Sequence, residues 1–347
     1  MEEYHRKIST SNNQSISYLV SENKIMYKVS VIIPIYNVEK YIEKCASSLF
    51  KQTLESIEFI FVDDCSPDGS ISILQSVLNK YPDRIPHTKI VHHEYNRGLA
   101  AARNTGRAIA QGEYIIDCDS DDWVESNMYE LMYQKAQQTN ADIVICDLCL
   151  VYPTEKKYIS INPPLDHIKC VAYLFSGKMH GSVCNKLIKK ELYKKHNISC
   201  MEGMNYLEDL NVTYKLFYYA EVISYIDKPL YNYYQGNTDS YTSTSISEQS
   251  QSGMLCLIKQ IQDFFEKEQV TNPDLYKAFS FLKASIISEI LHKGNIKNMK
   301  EFPSINISTI LAHPTLTLYY KMLLICSFVR FTKGIQFMRI IYHCLKS

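Results

Sequence analysis

Residues 112–123 read GEYIIDCDSDDW, in which a short apolar run ends abruptly in a cluster of carboxylates. The run at residues 114–116 is typical of the end of a buried strand, which places Asp119 and Asp121 at the mouth of that strand. Open α/β sheets bind their ligands at this edge. Because neighbouring carboxylates repel one another, the pattern favours a divalent cation or a set of hydrogen-bond donors beside them.

A structural interpretation of the same carboxylates stays open. Residues 119–122 could form an acidic turn that caps the next helix, since Asp is a favoured N-cap and suits the positive end of a helix. A D-x-D pattern alone does not decide between a cap and a ligand site. The rest of the sequence has to decide.

The chain around this stretch alternates between apolar runs and amphipathic segments. Such an alternation predicts an α/β fold with a mostly parallel sheet and helices on both faces. The predicted strands are residues 29–33, 59–62, 89–91, 114–116 and 141–150, and the predicted helices are residues 41–50, 71–78, 99–110 and 211–219.

Polar side chains follow each of the first four predicted strands. They are Tyr36 and Asn37 after the first strand, Asp63 and Asp64 after the second, Asn96 after the third, and Asp119 and Asp121 after the fourth. Because the carboxyl ends of parallel strands meet at one edge of a sheet, the sequence predicts a single site there.

Composition and motifs exclude several classes of protein. The 347 residues carry no net formal charge, so there is no electrostatic case for nucleic acid as a partner. No G-x-G-x-x-G follows the first strand and no G-x-x-x-x-G-K-[ST] occurs, which disfavours a dinucleotide oxidoreductase or a P-loop enzyme. The polar N-terminus lacks the features of a signal peptide, and the eleven cysteines form no dense framework. We therefore expect a cytoplasmic protein with reduced thiols.

The character of the sequence divides the chain into three parts. Residues 1–27 form a polar extension, and residues 28–240 hold the alternating pattern of the predicted catalytic domain. Residues 241–347 begin with a linker that is rich in Ser, Thr and Gln through Ser252, and continue as a helical, basic C-terminal subdomain.

The last part of the chain has an unusual balance of charge. Residues 302–347 contain five Lys or Arg residues and no Asp or Glu. Residues 316–329 are apolar, but Lys321 interrupts them and they fall short of the ~18 to 20 residues that span a bilayer. Two interpretations stay open: a peripheral helix on the anionic inner face of the cell membrane, or a helical subdomain packed on the catalytic domain.

Four segments occur in order along the chain: VIIPIYNVE at residues 31–39, FVDDCSPD at 61–68, NRGLAAARN at 96–104 and DSDD at 119–122. Together they resemble the motifs of the family 2 glycosyltransferases, and the resemblance covers residues 29–234. It implies an inverting enzyme that uses nucleotide sugars and has the GT-A nucleotide-diphospho-sugar transferase fold. Four ordered motifs at matching spacing are far more specific than any one of them.

The resemblance assigns a donor side to the predicted site. It implies that Pro34 and Tyr36 line the base pocket, with Glu39 in the same donor-binding motif. It also implies that Asp64 accepts a hydrogen bond from the imide of the nucleobase, usually uracil; an acceptor there discriminates against bases that lack this donor. Alternatively, the two aspartates of this motif form an Asx-type turn with residues 66–69.

The resemblance also assigns residues near the diphosphate. It implies that Asn96 and Arg103 lie beside the nucleotide and its diphosphate, although Arg103 could instead pair with a neighbouring carboxylate. Asp119 matches a position that assists the ribose or the metal, and Asp121 matches the direct metal ligand. The implied metal is Mg²⁺ or Mn²⁺, because carboxylate and diphosphate oxygens suit hard cations.

The catalytic base is expected near residue 209. The resemblance matches Glu208 and Asp209 to the Glu-Asp motif of the family, in which Asp209 would remove the proton from the acceptor hydroxyl and Glu208 would contact the sugar or support the base. Both residues could instead be ordinary carboxylates in the first turn of a helix.

One position departs from the family pattern. Before a Lys that matches Lys186, many members carry an aromatic residue where this chain has Val183, Cys184 and Asn185. The loss leaves the identity of the sugar or acceptor open. His180 and Lys186 could still touch the donor or the acceptor, or His180 could be a hydrated loop residue.

We therefore expect a metal-dependent transferase that moves a hexose or N-acetylhexosamine from a nucleotide diphosphate sugar to a glycan or lipid-linked oligosaccharide of the cell surface. Two alternatives stay open. A nucleotidyltransferase has a related sheet and would release pyrophosphate, and a catalytically silent subunit would bind a nucleotide or glycan without turnover.

Overall fold

The computed structural model describes residues 26–204, 206–237, 246–294, 302–329 and 331–346. The predicted N-terminal extension therefore lies outside the described residues, apart from Met26 and Tyr27. Residues 238–245, where we predict the start of the linker, also lie outside them.

A single sheet forms the centre of the molecule. Its strands are β1 (Val29–Ile35), β2 (Ile57–Asp63), β3 (Thr88–His92), β4 (Tyr114–Asp117), β5 (Trp123–Val124), β6 (Ile143–Val151), β7 (Lys156–Ile159), β8 (Lys186–Lys189) and β9 (Ile223–Tyr234). In the described chain they form a nine-stranded sheet in the order β3-β2-β1-β4-β8-β6-β9-β5, with β7 paired to β6. Strands β1 to β4, β6 and β9 share one direction, and the other three run against it. The predicted, mostly parallel α/β sheet is confirmed.

Helices connect the strands and cover the sheet. In the first half these are α1 (Ile42–Phe50), α2 (Ser70–Leu78), a 3₁₀ helix (Pro82–His87), α3 (Leu99–Ile109) and α4 (Met128–Thr139). In the second half they are α5 (His167–Phe175), α6 (Lys190–Lys195), α7 (Glu208–Tyr219), α8 (Glu248–Lys267), α9 (Pro273–Lys293), α10 (Ile307–Ala312), α11 (Leu318–Phe328) and α12 (Thr332–Lys346). The predicted helices at residues 41–50, 71–78, 99–110 and 211–219 all lie at or within a few residues of observed ones.

The sheet separates two apolar cores. Every residue of β1 is buried, as expected for a strand that is covered on both faces. Ile32 belongs to the core under α3, α5 and α7, whereas its neighbours Val31 and Ile33 belong to the core under α1, α2 and α4. The alternation along one strand confirms that helices lie on both faces of the sheet.

The topological switch point lies between β1 and β4. Strand β1 pairs with β2 on one side and with β4 on the other, both in parallel. Helix α3 packs so closely on β1 that a Cβ atom at Gly106 would collide with Ile32. This close packing places α3, which carries Arg103, directly beside the ends of β1 and β4, where open α/β sheets bind ligands.

The C-terminal helices form two different contacts. Helices α8 and α9 extend the core of the sheet through residues such as Leu257 and Leu282, whereas α10 to α12 form a third small core against α9. Helix α8 begins at Glu248, because the side chain of Ser247 accepts a hydrogen bond from the N–H of Ser250. The helix thus starts inside the segment that we predicted as a linker through Ser252. Among the described residues, none of the helices is long and apolar enough to cross a membrane.

Candidate active site

A buried arginine joins three carboxylates at the switch point. Arg103 is 1% exposed, and its Nη2 donates to Asp119 Oδ1 at 2.8 Å. Its Nη1 donates to Glu208 Oε1 at 3.0 Å and also to Asp209 Oδ1. The D-x-D segment after β4 and the Glu-Asp segment at the start of α7 are therefore held on one guanidinium, although they lie far apart in sequence. The alternative that Arg103 pairs with neighbouring carboxylates describes what the structure shows; its contact with a diphosphate stays a prediction.

A second arginine and a fourth carboxylate lie behind this cluster. Asp117, the last residue of β4, accepts a hydrogen bond from Arg107 Nη2 at 2.8 Å, and its other oxygen lies 3.6 Å from Arg103 Nε. Burial alone would lower the pKa of Arg103, but the surrounding carboxylates, led by Asp209 and Asp119, raise it well above its usual value. Both guanidinium groups therefore stay charged and compensate the carboxylates.

Asp209 has the properties of a base that works near neutral pH. Burial raises the pKa of its carboxyl to about 7, against the opposing effect of Arg103. Its second oxygen accepts a weak hydrogen bond from the N–H of Val183 at 3.4 Å. Leu207, just before α7, has a left-handed φ of 64°, a strained conformation of the kind that clusters at functional sites. Glu208 and Asp209 lie in the first turn of α7 and also in the carboxylate cluster, so both of the roles considered for them are compatible.

The other two aspartates of the motif have separate partners. Asp121 Oδ2 accepts from Asn237 Nδ2 at 2.8 Å, and burial together with the charge of Asp119 raises the pKa of Asp121. Asp122 accepts from the hydroxyl of Tyr231 at 2.5 Å and from the N–H of Tyr234 at 2.7 Å. Asp122 therefore holds the D-x-D turn on β9, which is a structural role that the sequence did not indicate.

Asp64 organises the turn that leads into α3. Its Oδ1 accepts from the N–H of Arg97 at 2.8 Å and lies 2.6 Å from His93 Nδ1, and its Oδ2 accepts from the N–H of Gly98 at 2.7 Å. Gly98 needs its positive φ of 87° for this approach. Because a carboxylate has about four lone-pair sites, these contacts leave room for one further donor such as a nucleobase imide. Asn96 lies exposed on the same turn.

The remaining donor-side residues occupy the turns after β1 and β2. Pro34 is buried within β1, and Tyr36 just beyond it is 45% exposed. Glu39 Oε2 accepts from the N–H of Gly69 at 3.0 Å, which ties the two turns together. Asp63 Oδ1 accepts from the N–H of Ser66 at 2.8 Å, so Asp63 forms the Asx-type turn. Asp64 does not take part in that turn and instead binds the turn before α3.

The loop before β8 lies beside Asp209 and Asp119. Lys186 Nζ donates to the backbone oxygens of His180 at 3.2 Å and Ser182 at 2.5 Å, and burial lowers its pKa to about 8. Lys186 thus holds its own loop together. The thiol of Cys184 donates to Asp119 Oδ2 at 3.3 Å, at the place where an aromatic residue was expected from the family pattern. His180 is exposed on this loop.

Asp121 suits a divalent cation better than the other carboxylates do. The two oxygens of Asp119 already accept hydrogen bonds from Arg103 and Cys184. Asp121 has a raised pKa because it is buried and lies near the charge of Asp119. A positively charged partner would therefore stabilise the ionised form of Asp121. Within the described ranges, no three His, Cys, Asp or Glu side chains are arranged to hold a metal ion. A hard cation held at Asp121 would take one or two protein carboxylates and complete its shell with substrate phosphates and water.

Sequence reasoning missed four residues of this site: Asp117, Asp122, Arg107 and Tyr231. An arginine four residues after Arg103, on the same helix face, was a signal that could have indicated the second ion pair. The contact of Tyr231 had no local signal, because β9 reaches the turn from more than a hundred positions downstream.

A family model described as Glycosyl transferase family 2 matches residues 30–196. The chain is 34% identical over 214 residues to the putative glycosyltransferase EpsH of Bacillus subtilis (strain 168), covering 59% of this chain and 60% of EpsH. It is 30% identical over 270 residues to the cholesterol galactosyltransferase of Borreliella burgdorferi, covering 73% of this chain and 72% of that protein. The chain thus spans less than two thirds of EpsH and more than two thirds of the second relative.

Among solved structures, S. aureus TarS in complex with UDP-GlcNAc matches with a TM-score of 0.66 at 21% identity, covering 91% of both chains. This likeness, together with the sheet order and the helices on both faces, defines the fold as GT-A. With the family model and the relatives, it leads to one identification: the chain belongs to the family 2 glycosyltransferases. The resemblance that the four motifs carry is confirmed.

Proposed function

We propose that this protein is an inverting glycosyltransferase that moves a hexose or N-acetylhexosamine from a nucleotide diphosphate sugar to a hydroxyl group of a glycan or lipid-linked acceptor. The observation that carries the proposal is the Arg103 cluster, which brings Asp119 of the D-x-D motif and Asp209 to one guanidinium at the switch point of the sheet. Within the proposal, residues 28–240 supply the catalytic domain and residues 241–347 the C-terminal subdomain.

Asp209 is the proposed catalytic base. It takes the proton of the acceptor hydroxyl while that oxygen forms a bond to the anomeric carbon, and the bond from that carbon to the diphosphate breaks. A pKa of about 7 suits this task, because a base works best when its pKa lies near the working pH. A single displacement of this kind inverts the anomeric configuration. Arg103 holds the base in position for the attack, and Glu208 binds the same guanidinium nitrogen.

The donor side is proposed to lie on the turns after β1, β2 and β3. Asp64 retains one acceptor site for the imide of a uracil base, and the exposed ring of Tyr36 offers a surface for the base. Glu39 and Asn96 lie on these turns, and Asp119 is proposed to support the ribose or the metal. A uridine nucleotide is supported by the fold match, because TarS was solved with UDP-GlcNAc.

Asp121, assisted by Asp119, is the proposed ligand of Mg²⁺ or Mn²⁺. When bound there, the cation would neutralise the charge that develops on the departing nucleoside diphosphate. The raised pKa of Asp121 supports this assignment, since a carboxylate with too little compensating charge gains most from a cation.

The acceptor is proposed to be a growing surface polysaccharide or a lipid-linked precursor of one, made at the inner face of the cell membrane. One relative acts, by its name, on cholesterol, which is itself presented in a membrane. The proposal is for a cytoplasmic enzyme that works at the membrane surface.

The proposed base is tested by turnover of the Asp209→Asn protein with a UDP-sugar and Mn²⁺. We expect turnover to fall by roughly 10²–10⁴-fold, the usual contribution of a general base, while the affinity for the donor changes little. The matched control is Glu202→Gln, an exposed carboxylate that pairs with Arg97, which should keep full turnover.

The products of two assays separate the alternatives. Release of UDP from a UDP-sugar supports the glycosyltransferase, whereas release of pyrophosphate from a nucleoside triphosphate and a sugar phosphate would instead identify a nucleotidyltransferase. Wild-type turnover in the Asp209→Asn protein would remove this residue from the mechanism. No turnover of any UDP-sugar by the wild-type protein, with binding intact, would indicate a silent subunit.

A further inference from the structure

Large apolar side chains are concentrated on the exposed surface of the C-terminal helices. On α11, on α12 and between them, six are more than half exposed and define what we call the apolar C-terminal surface: Leu318, Phe328, Val329, Phe331, Phe337 and Ile340. Single exposed apolar residues are normal on proteins, but a contiguous segment that exposes so many marks a surface that binds something.

Helix α11 is apolar on two opposite faces. Its residues Leu323 and Leu324 are buried in the third core, while Leu318 and Met322, four positions apart, lie on one exposed stripe. A helix that is apolar all round is normally covered on all sides. The described part of this chain covers only the inner face, so the outer face calls for a partner.

Helix α12 continues this surface. Ile335 is fully buried in the third core, and Phe337 and Ile340, three positions apart on the helix, are each 62% exposed. The two helices therefore place their inner residues in a common core and leave their outer apolar residues in solvent.

The charge of this region points to an anionic partner. Residues 302–347 hold five basic and no acidic residues. The described contacts of Lys321 and Arg339 are to the backbone oxygens of Leu311, Leu291 and Gly294, which do not neutralise a positive charge. Lys333 lies exposed at the start of α12. Apolar residues with basic neighbours are the composition of helices that lie on anionic lipid.

We propose that the apolar C-terminal surface docks on an anionic lipid surface, with Phe337, Ile340 and their neighbours inserted at the level of the headgroups. A second copy of this chain fits less well, because pairing the same surface in two copies would bring like charges together without an acidic residue to offset them. The inference rests on the proposed function in one respect only: a lipid-linked acceptor would explain why the protein binds a membrane.

The segment before α11 contacts the loop that reaches the proposed catalytic base. Thr315, just before α11, donates its hydroxyl to the backbone oxygen of Ser176 at 3.2 Å. Ser176 begins the loop that ends at Val183, whose N–H contacts Asp209. A protein docked through this surface would thus hold the loop beside its base close to the lipid, which suits a lipid-linked acceptor.

The test is co-sedimentation of the full chain with vesicles, without donor or acceptor. We expect binding to vesicles of phosphatidylcholine with an equal share of phosphatidylglycerol, weaker binding to pure phosphatidylcholine, and a loss of binding as salt rises. The double variant Phe337→Ser/Ile340→Ser should bind roughly 100-fold more weakly, because each inserted apolar side chain contributes about tenfold. Lys333→Glu should weaken binding only to the anionic vesicles.

The matched control is the double variant Ile85→Ser/Leu165→Ser, which removes two comparably exposed apolar residues from the catalytic part and should bind like the wild type. Equal binding by all variants would overturn the proposal. The proposal would also be overturned if the wild type did not bind vesicles but formed an oligomer by light scattering, and if Phe337→Ser/Ile340→Ser were monomeric. Because the readout is vesicle binding, failure here leaves the transferase proposal to its own assay.

Discussion

At the candidate active site Arg103 buries a full charge among carboxylates, whereas α11 and α12 leave large apolar side chains in solvent. Both regions depart from the usual pattern, in which charged side chains are exposed and large apolar side chains are buried. In the first region Arg103 finds its counter-charges within the chain, and in the second we propose that the partner lies outside it. The contrast teaches that function can be located by asking which groups depart from normal burial and what compensates them.

The largest effect should come from removing the buried charge, as in Arg103→Met. This variant leaves Asp119, Glu208 and Asp209 without their counter-ion, and we expect a loss of about 3–5 kcal/mol in the free energy of unfolding by urea, along with loss of turnover. The matched control is Arg97→Met, whose exposed pair with Glu202 should cost only about 0–1 kcal/mol.

The pH dependence of this loss of stability tests whether unpaired charge is its cause. Burial raises the pKa of Asp209 to about 7 although Arg103 lowers it, so the loss of Arg103 should raise this pKa further. Protonation of Asp209 then stabilises the folded variant, and the deficit of Arg103→Met should shrink as pH falls toward 7. A deficit that is independent of pH would mean that lost packing, and not unpaired charge, explains the instability.

A smaller effect is expected from titrating the base within the intact cluster. Burial raises the pKa of Asp209 to about 7, and only its deprotonated form can accept the proton of the acceptor. The value of kcat/KM should then fall about tenfold for each pH unit below 7 and level off above it. The residual activity of Asp209→Asn should be flat over the same range, and a wild-type profile that is equally flat would contradict the assignment.

The smallest effect on stability is expected on the apolar C-terminal surface. Phe337→Ser should change the free energy of unfolding by less than about 0.5 kcal/mol, because the side chain is 62% exposed and has little packing to lose. Its counterpart on the inner face, Leu323→Ala, should cost about 2–5 kcal/mol. Thermal or urea unfolding of the two variants side by side measures the difference, and equal losses would show that the outer face is packed after all.

The fold could be predicted largely from local patterns. The apolar runs of β1, β2, β3 and β4 and the periodic segments of α1, α2 and α3 carry their own signals, since each is decided by neighbouring residues. Strands β5 and β8 could not be predicted in this way, because they are short and are stabilised by pairing with β9, β4 and β6.

The motif residues of the candidate site were predictable, but their geometry and their structural partners were not. Asp119 and Asp121 could be named from the D-x-D motif and Asp209 from the Glu-Asp motif. Arg103 could be named from the motif at residues 96–104. That Arg103 binds Asp119 and Asp209 together depends on how α3 packs against β1 and on where α7 begins, which are long-range properties. The same holds for Asp122, whose partner Tyr231 arrives from β9.

The measurement that tests the account most directly is the thermal stability of the purified protein with a panel of nucleotide diphosphate sugars, with and without Mn²⁺. A ligand at ~100 times its dissociation constant adds about 2.7 kcal/mol to the free energy of unfolding. We predict a rise with one UDP-sugar that requires Mn²⁺ and is lost in Asp121→Ala. If no nucleotide or nucleotide sugar stabilises the protein in the presence of Mn²⁺, the proposed donor site is contradicted.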